Sequence, residues 1–167
     1  MLRILAGLTP GGRALDLAGG TGRHALVLAR EGWETHVWDV SPVGLGILDR
    51  RVQAAGLAVQ SRQIDVVLDG LPLDAEFELV VLVNFLHRPL WTDLHQLLVT
   101  GGDLILSVPT DDWPGERPPT RFRIRPGELS AGLPGLETVL AEEEAGRALL
   151  HARKAAPPPA HGDSQSY

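Results

Sequence analysis

The stretch from Ala14 to Ala29, ALDLAGGTGRHALVLA, restricts the chain more than any other. Leu15 and Leu17 bracket an acid, Asp16, and Gly19, Gly20 and Gly22 follow with Thr21 between the last two. Glycines let a backbone turn sharply and let a second group approach it closely. Ala25, Leu26, Leu28 and Ala29 then return at helical spacing. The stretch therefore reads as strand, glycine turn and helix, with the helix starting near Gly22 and its unpaired N–H groups aimed at whatever lies over the loop. A βα unit of this kind is a nucleotide-type cofactor site.

The rest of the chain repeats that unit. Glu34–Asp39 alternates as a second strand, and Ser41-Pro42 is a helix start, a capping hydroxyl followed by proline at the first helical position. The second helix runs to about Ala55, with Gly44 and Gly46 inside it either tolerated or admitting a close backbone. A third strand spans Ala58–Ile64 and ends at Asp65. Glu78–Val83 is nearly continuously apolar, as a central parallel strand buried on both faces should be. Pro89–Val99 predicts an amphipathic helix stopped by Gly101-Gly102, and Asp103–Val108 a fifth strand. Pro109–Pro126, rich in proline and arginine, predicts a long loop over the ligand edge. Leu136–Leu140 and Ala148–Ala152 read as a closing strand pair joined through Glu142–Gly146. The expected fold is α/β: a doubly wound, Rossmann-like sheet of about seven strands, mostly parallel, with a C-terminal antiparallel strand. Residues 1–154 form the expected domain and 155–167 a disordered tail.

Ligands in such sheets sit beyond the carboxyl ends of the strands, at the switch in strand order. Asp16–Gly20, Asp39, Asp65 and Asn84 all fall at those ends. Two cofactors suit the loop. Gly20, Gly22 and Ala25 fit the dinucleotide pattern G-x-G-x-x-A, with Asp39 near the distance of a ribose acid. Asp16, Gly20 and Gly22 also fit the acid-x-G-x-G-x-G loop for S-adenosylmethionine, with Ala18 in place of the first glycine. Asp16 favours the second, because a carboxylate there repels a pyrophosphate and attracts an ammonium and a sulfonium.

Together these segments resemble the class I S-adenosylmethionine-dependent methyltransferases, over about Arg13 to Lys154. LDLAGGTGRHALVLA resembles the family's first motif, VWDVSP its second and IDV its third; VNFLHRPLW resembles the segment after the fourth strand, and LLVTGGDLILSV the L-x-P-G-G-x-L run with Thr100 at the proline position. FRIRPGEL and the strand pair are similar to the small bacterial tellurite-resistance and thiopurine-type enzymes. The resemblance implies S-adenosylmethionine as cofactor, held by Asp16, Ala18, Gly19, Gly20, Thr21 and Gly22 at the methionine end, Asp39 and Val40 at the ribose, and Asp65 and Val66 at the adenine. Val66 or Leu68 is the candidate to pack on the ring. It also implies methyl transfer to a small-molecule acceptor, with Asn84 beside the sulfonium and His87 as candidate general base. Two departures bear on the acceptor: about a dozen residues precede the first strand, and the last hairpin shrinks to EEEAGR. A module that binds S-adenosylmethionine without catalysis, and an NAD-dependent oxidoreductase, are the alternative functions.

Other residues carry plainer expectations. Trp38 reads as core, His24 as a polar group steadying the loop and His151 as structural. Arg121, Arg123 and Arg125 share one face if extended, and so present an anion site. His36, Arg123, Asp39 and Glu34 give no metal spacing, so no metal is expected. The net charge of −6 argues against a nucleic-acid or membrane-surface partner. The sequence has no cysteine, no apolar run of membrane-spanning length and no signal-like start, which together suggest the cytoplasm. Oligomeric state stays open, a homodimer included.

Overall fold

The structure, a computed structural model, describes residues 2–5, 7–116 and 118–155; the expected tail from 156 onward and Arg117 lie outside the described residues. A single seven-stranded sheet runs in the order β3-β2-β1-β4-β5-β7-β6. Its strands are β1 (Arg13–Leu17), β2 (Glu34–Asp39), β3 (Val59–Gln63), β4 (Phe77–Val83), β5 (Leu98–Pro109), β6 (Glu137–Glu144) and β7 (Arg147–Arg153). β1 pairs in parallel with both β2 and β4, so the chain winds outward to β3 and then returns beside its starting strand. β7 runs antiparallel to β5 and to β6, as the closing strand pair predicts.

Alternation along each strand divides the interior. Ala14, Leu79, Val81 and Ile105 face one side, where they pack against Leu5 of α1 (Leu2–Leu5) and Leu28 of α2 (Ala25–Arg30). α3 (Pro42–Ala55) adds Leu45 and Leu48 against Val37 on β2. Leu15, Leu17, Val80, Leu82, Leu104 and Leu106 face the other side, together with Trp38, which is buried as expected. Both α2 and α3 end in a glycine with positive φ, Gly32 and Gly56, whose N–H bonds back into the last turn.

Two segments differ from expectation. Pro89–Val99 is not an α-helix but two short 3₁₀ turns, Arg88–Thr92 and Leu94–Leu97, and β5 already begins at Leu98. The buried residues Leu90, Trp91, Leu94, Leu97 and Leu98 keep the helical spacing behind the expectation, so the apolar pattern holds while the backbone that carries it is wound more tightly. Gly101-Gly102 therefore lies inside β5, where the pairing slips between Phe77↔Leu98 and Leu79↔Asp103. Gly101 takes φ 79, and a Cβ on Gly102 would stand 2.9 Å from the Val99 carbonyl oxygen and 3.0 Å from that of Phe77. The pair makes a β-bulge that no side chain fits.

The β6–β7 turn is tighter than the sequence suggests. β6 runs through Glu144, and Ala145 (φ 51) and Gly146 (φ 77) alone reverse the chain. Two left-handed residues suit the twist of a hairpin. They have opposite sensitivities. A Cβ on Gly146 would lie 2.5 Å from Trp113 Cα, so Gly146→Ala is expected to lower stability by about 2 kcal/mol or more. Ala145→Gly relieves the left-handed strain, with an expected gain of about 0.5 kcal/mol. Urea unfolding of the two variants checks the opposite signs.

Candidate functional site

The loop after β1 is shaped mainly by what lies beneath it. Ala18 has φ 54, the left-handed conformation that a glycine takes without strain, followed by Gly20 at φ 56 and Gly22 at φ 75. A Cβ on Gly19 would stand 2.8 Å from Asp16 Cγ and 2.9 Å from Val37 Cγ1, and one on Gly22 would stand 2.2 Å from Leu48 Cδ1. The glycines thus let the loop settle onto β2 and α3 as well as leaving its upper face bare.

Asp16 shares a strand face with Ala14, so it points under α2 and is 1% exposed. Its Oδ2 accepts the Ala25 N–H at 3.0 Å. This corrects the expected helix start: α2 begins at Ala25, and that N–H is taken by a side chain instead of facing a ligand. Burial pushes the Asp16 carboxyl up to about 7, against the pull of the Ala25 N–H; Asp39 raises it further and Arg23 opposes.

Asp39 ties the loop to the next unit. Its Oδ2 accepts from Gly20 N at 2.8 Å and its Oδ1 from Ser41 N at 2.8 Å. Ser41 caps α3 by accepting from Gly44 N at 3.0 Å. A Cβ on Gly44 would stand 3.3 Å from the Gly20 backbone, so the close approach that Gly44 permits is to the loop. Asp65 Oδ1 accepts from Val67 N and Leu68 N at 3.0 and 3.2 Å. Val66 lies in the core, while Val40 and Leu68 are exposed. Asn84 turns off β4 with φ 60, and its Oδ1 accepts from Arg147 Nη1 at 2.8 Å.

Two adjoining cavities open at this end of the sheet. One, of about 410 Å³, lies over the glycine loop between Ala18, Gly19, Thr21 and Arg51. Arg51 crosses from α3 to donate to both oxygens of Thr21 at 3.1 Å. The other, of about 390 Å³, is bounded by Asn84, Ser107, Glu142, Glu144 and Arg147. Arg23, His24 and Val83 line both. Burial lowers the His24 pKa, and Arg23 and Arg147 lower it further, so it favours neutral imidazole.

Not every expected residue gathers here: Asp16, Gly20, Gly22, Asp39, Val40, Asp65 and Val66 line neither cavity. His87 is half-buried, opens a 3₁₀ turn and lines neither cavity. The arginine face of the loop does not form, because Thr120–Phe122 is a 3₁₀ turn rather than an extended run. Arg123 is 9% exposed and donates to the carbonyl oxygens of Pro118 at 2.8 Å, Trp113 at 3.2 Å and Gly115, closing its own loop. His151 is structural as expected, with Nε2 at 2.7 Å from Asp103 Oδ1. Sequence reasoning missed Arg147, Ser107, Glu142 and Glu144. The only signal for them was the alternation of acids in Glu142-Glu143-Glu144, which sets the first and third on one strand face.

A family model described as a methyltransferase domain matches residues 14–102, which include β1 to β4 and the glycine loop. The fold is similar to that of TehB from Haemophilus influenzae, with a TM-score of 0.77 and 20% identity over 92% of this chain and 60% of that one. This chain thus spans about three-fifths of the length of that protein. A TehB-like SAM-dependent methyltransferase from Corynebacterium glutamicum ATCC 13032 gives a TM-score of 0.69 and 18% identity, covering 90% of this chain and 84% of that one. The glycopeptide N-methyltransferase MtfA, solved with S-adenosyl-L-homocysteine, gives 0.69 and 19%, covering 91% and 87%. Comparison with curated proteins gave no match.

The buried acid under the loop makes a pH-dependent prediction. With a folded pKa of about 7 against an ordinary 3.8, the native Asp16 holds a proton that the unfolded chain releases between those values. Its contribution to stability is full below the lower value and lost as pH rises through the upper one. Asp16→Asn keeps an acceptor for Ala25 N–H and removes the titration. Between pH 4 and 8 the variant is expected to gain about 2–4 kcal/mol on the parent protein, read from urea midpoints. Parallel curves for the two proteins would remove Asp16 from this role.

Proposed function

The chain belongs to the methyltransferase-domain family, and on that footing we propose that it binds S-adenosylmethionine over the glycine loop and transfers the methyl group to a small-molecule acceptor. The observation that carries the reading is the position of Asp39, at the end of β2 with its carboxylate on the N–H of Gly20, the residue between Gly19 and Thr21 that line the cavity over the loop. Each carboxylate oxygen spends one acceptor site on a backbone N–H and keeps another for a ribose hydroxyl.

The residues present fit this cofactor. Acids stand at the ends of β1, β2 and just past β3, as a cationic donor requires. Asp16 lies beneath the loop without contact to its upper face, and a cation bound above would favour its ionised form. Ala18, Gly19, Gly20, Thr21 and Gly22 supply the floor. Asp65, with one oxygen held in its turn, offers the other to the adenine amino group, and exposed Val40 flanks the ribose. Val66, in the core, supports that turn from below. Bound there, the cofactor supplies a methyl group on a good leaving group. The protein's part is then alignment of donor and acceptor and exclusion of water. Asn84 positions the acceptor side through its contact with Arg147. No step is assigned to His87, which opens the 3₁₀ turn at Arg88.

A dinucleotide suits the geometry less well. Its pyrophosphate needs free N–H groups at the start of the helix, and Asp16 has taken that of Ala25. Calorimetry with S-adenosylhomocysteine and with NAD separates the two. Binding of the first and silence of the second is the expected result; the reverse overturns the proposal. Asp39→Ala is expected to weaken S-adenosylhomocysteine by about 10–100-fold. Unchanged affinity in a folded variant would take Asp39 out of the site.

A further inference from the structure

The second cavity has a charge arrangement that the donor site does not use. Arg147 is partly buried, and every neighbour it holds is neutral: Asn84 Oδ1 at 2.8 Å, Ser107 Oγ at 3.3 Å, and the Trp113 ring centroid 5.1 Å from its guanidinium carbon. In the hairpin register Glu144 stands opposite Arg147. Yet Arg147 reaches inward to Asn84, and no ion pair joins it to an acid among the described residues. Burial lowers its pKa, and the nearby Arg23 lowers it again, as two cations on one cavity must. A partly buried guanidinium with no acid partner among the described residues keeps donors to spare, and its planar fork matches a carboxylate.

The β6 wall has the opposite sign. Glu142 and Glu144, two residues apart, line the same cavity. A bare anion would be repelled by that wall and a bare cation by the arginines. The volume of about 390 Å³ suits a small metabolite. We infer that this cavity is the acceptor site and that it takes a small zwitterion, an amino carboxylate, with the carboxylate on Arg147 and Arg23 and the ammonium toward Glu144. The inference rests on the reading of the glycine-loop cavity as the donor site, which the two cavities' shared Arg23, His24 and Val83 place next door.

The test is calorimetry on the full chain, with and without saturating S-adenosylhomocysteine. The probes are the common α-amino acids, then the amide and the des-amino acid of the best binder. The expected result is one or more amino acids binding to the S-adenosylhomocysteine complex, at least about tenfold tighter than either altered probe. Arg147→Gln is expected to weaken that amino acid by at least about tenfold and to leave S-adenosylhomocysteine affinity unchanged, with Arg147→Lys falling between. Glu144→Gln weakens the amino acid and spares the des-amino acid. The inference is overturned if no amino acid binds, if the des-amino acid binds equally well, or if Arg147→Gln binds the amino acid as the parent does. It is also overturned if S-adenosylhomocysteine displaces the amino acid, since the cavity would then hold the methionine end of the donor. Failure of S-adenosylhomocysteine to bind alone counts against the donor reading. Arg147-dependent amino-acid binding in that case still supports the ligand class.

Discussion

The carboxylate of Asp39, accepting Gly20 N–H with one oxygen and Ser41 N–H with the other, is the joint on which the site depends. It fastens the turn after β1 to the turn after β2. Ser41 passes the constraint on by capping α3, and Gly44, lacking a side chain, lets α3 rest against the Gly20 backbone. Both N–H groups would otherwise need a partner from solvent or ligand. The same carboxylate that would recognise a ribose is thus held still before any ligand arrives, the condition for recognition without an ordering cost.

Asp16 works from below. Its position in a central strand buries it on a face that is otherwise Ala14, Leu79 and Val81. One hydrogen bond from Ala25 N–H offsets part of the desolvation, and the raised pKa measures the part left over. A cation seated above the loop would favour the ionised form. A group placed under a binding site at the expense of folding stability is a common mark of function over fold.

Much of this was legible in the chain because it is local. The glycine turn, the acid after each of the first strands and the Ser41-Pro42 cap are short patterns whose geometry follows from neighbouring residues. Even the tolerated departure, Ala18 in the family's glycine position, shows its cost as a left-handed φ of 54. The segments misread were those whose backbone the local pattern does not decide. Leu90, Trp91, Leu94, Leu97 and Leu98 are buried at helical spacing, yet the chain winds there as two 3₁₀ turns and enters β5 at Leu98. Gly101-Gly102 looks like a helix stop until Phe77 is set beside it, and only the sheet register does that. Alternating arginines read as a face until Arg123 is found bonded to three carbonyls of its own loop.

The second cavity was invisible for a different reason. Arg147 and Asn84 stand 63 residues apart in sequence and meet only because β7 inserts between β5 and β6. No local pattern records that meeting. The glycine-loop cavity is therefore built from contiguous motifs and the second cavity from strand ends that the topology collects. Changes at the β6–β7 hairpin can reshape the second cavity while Asp16, Asp39 and the glycine loop keep their bonds. On the proposed reading, a fold so divided can keep its donor site and vary its acceptors, and the charges on Arg147 and Glu144 would then carry the information about the acceptor that the glycine loop lacks.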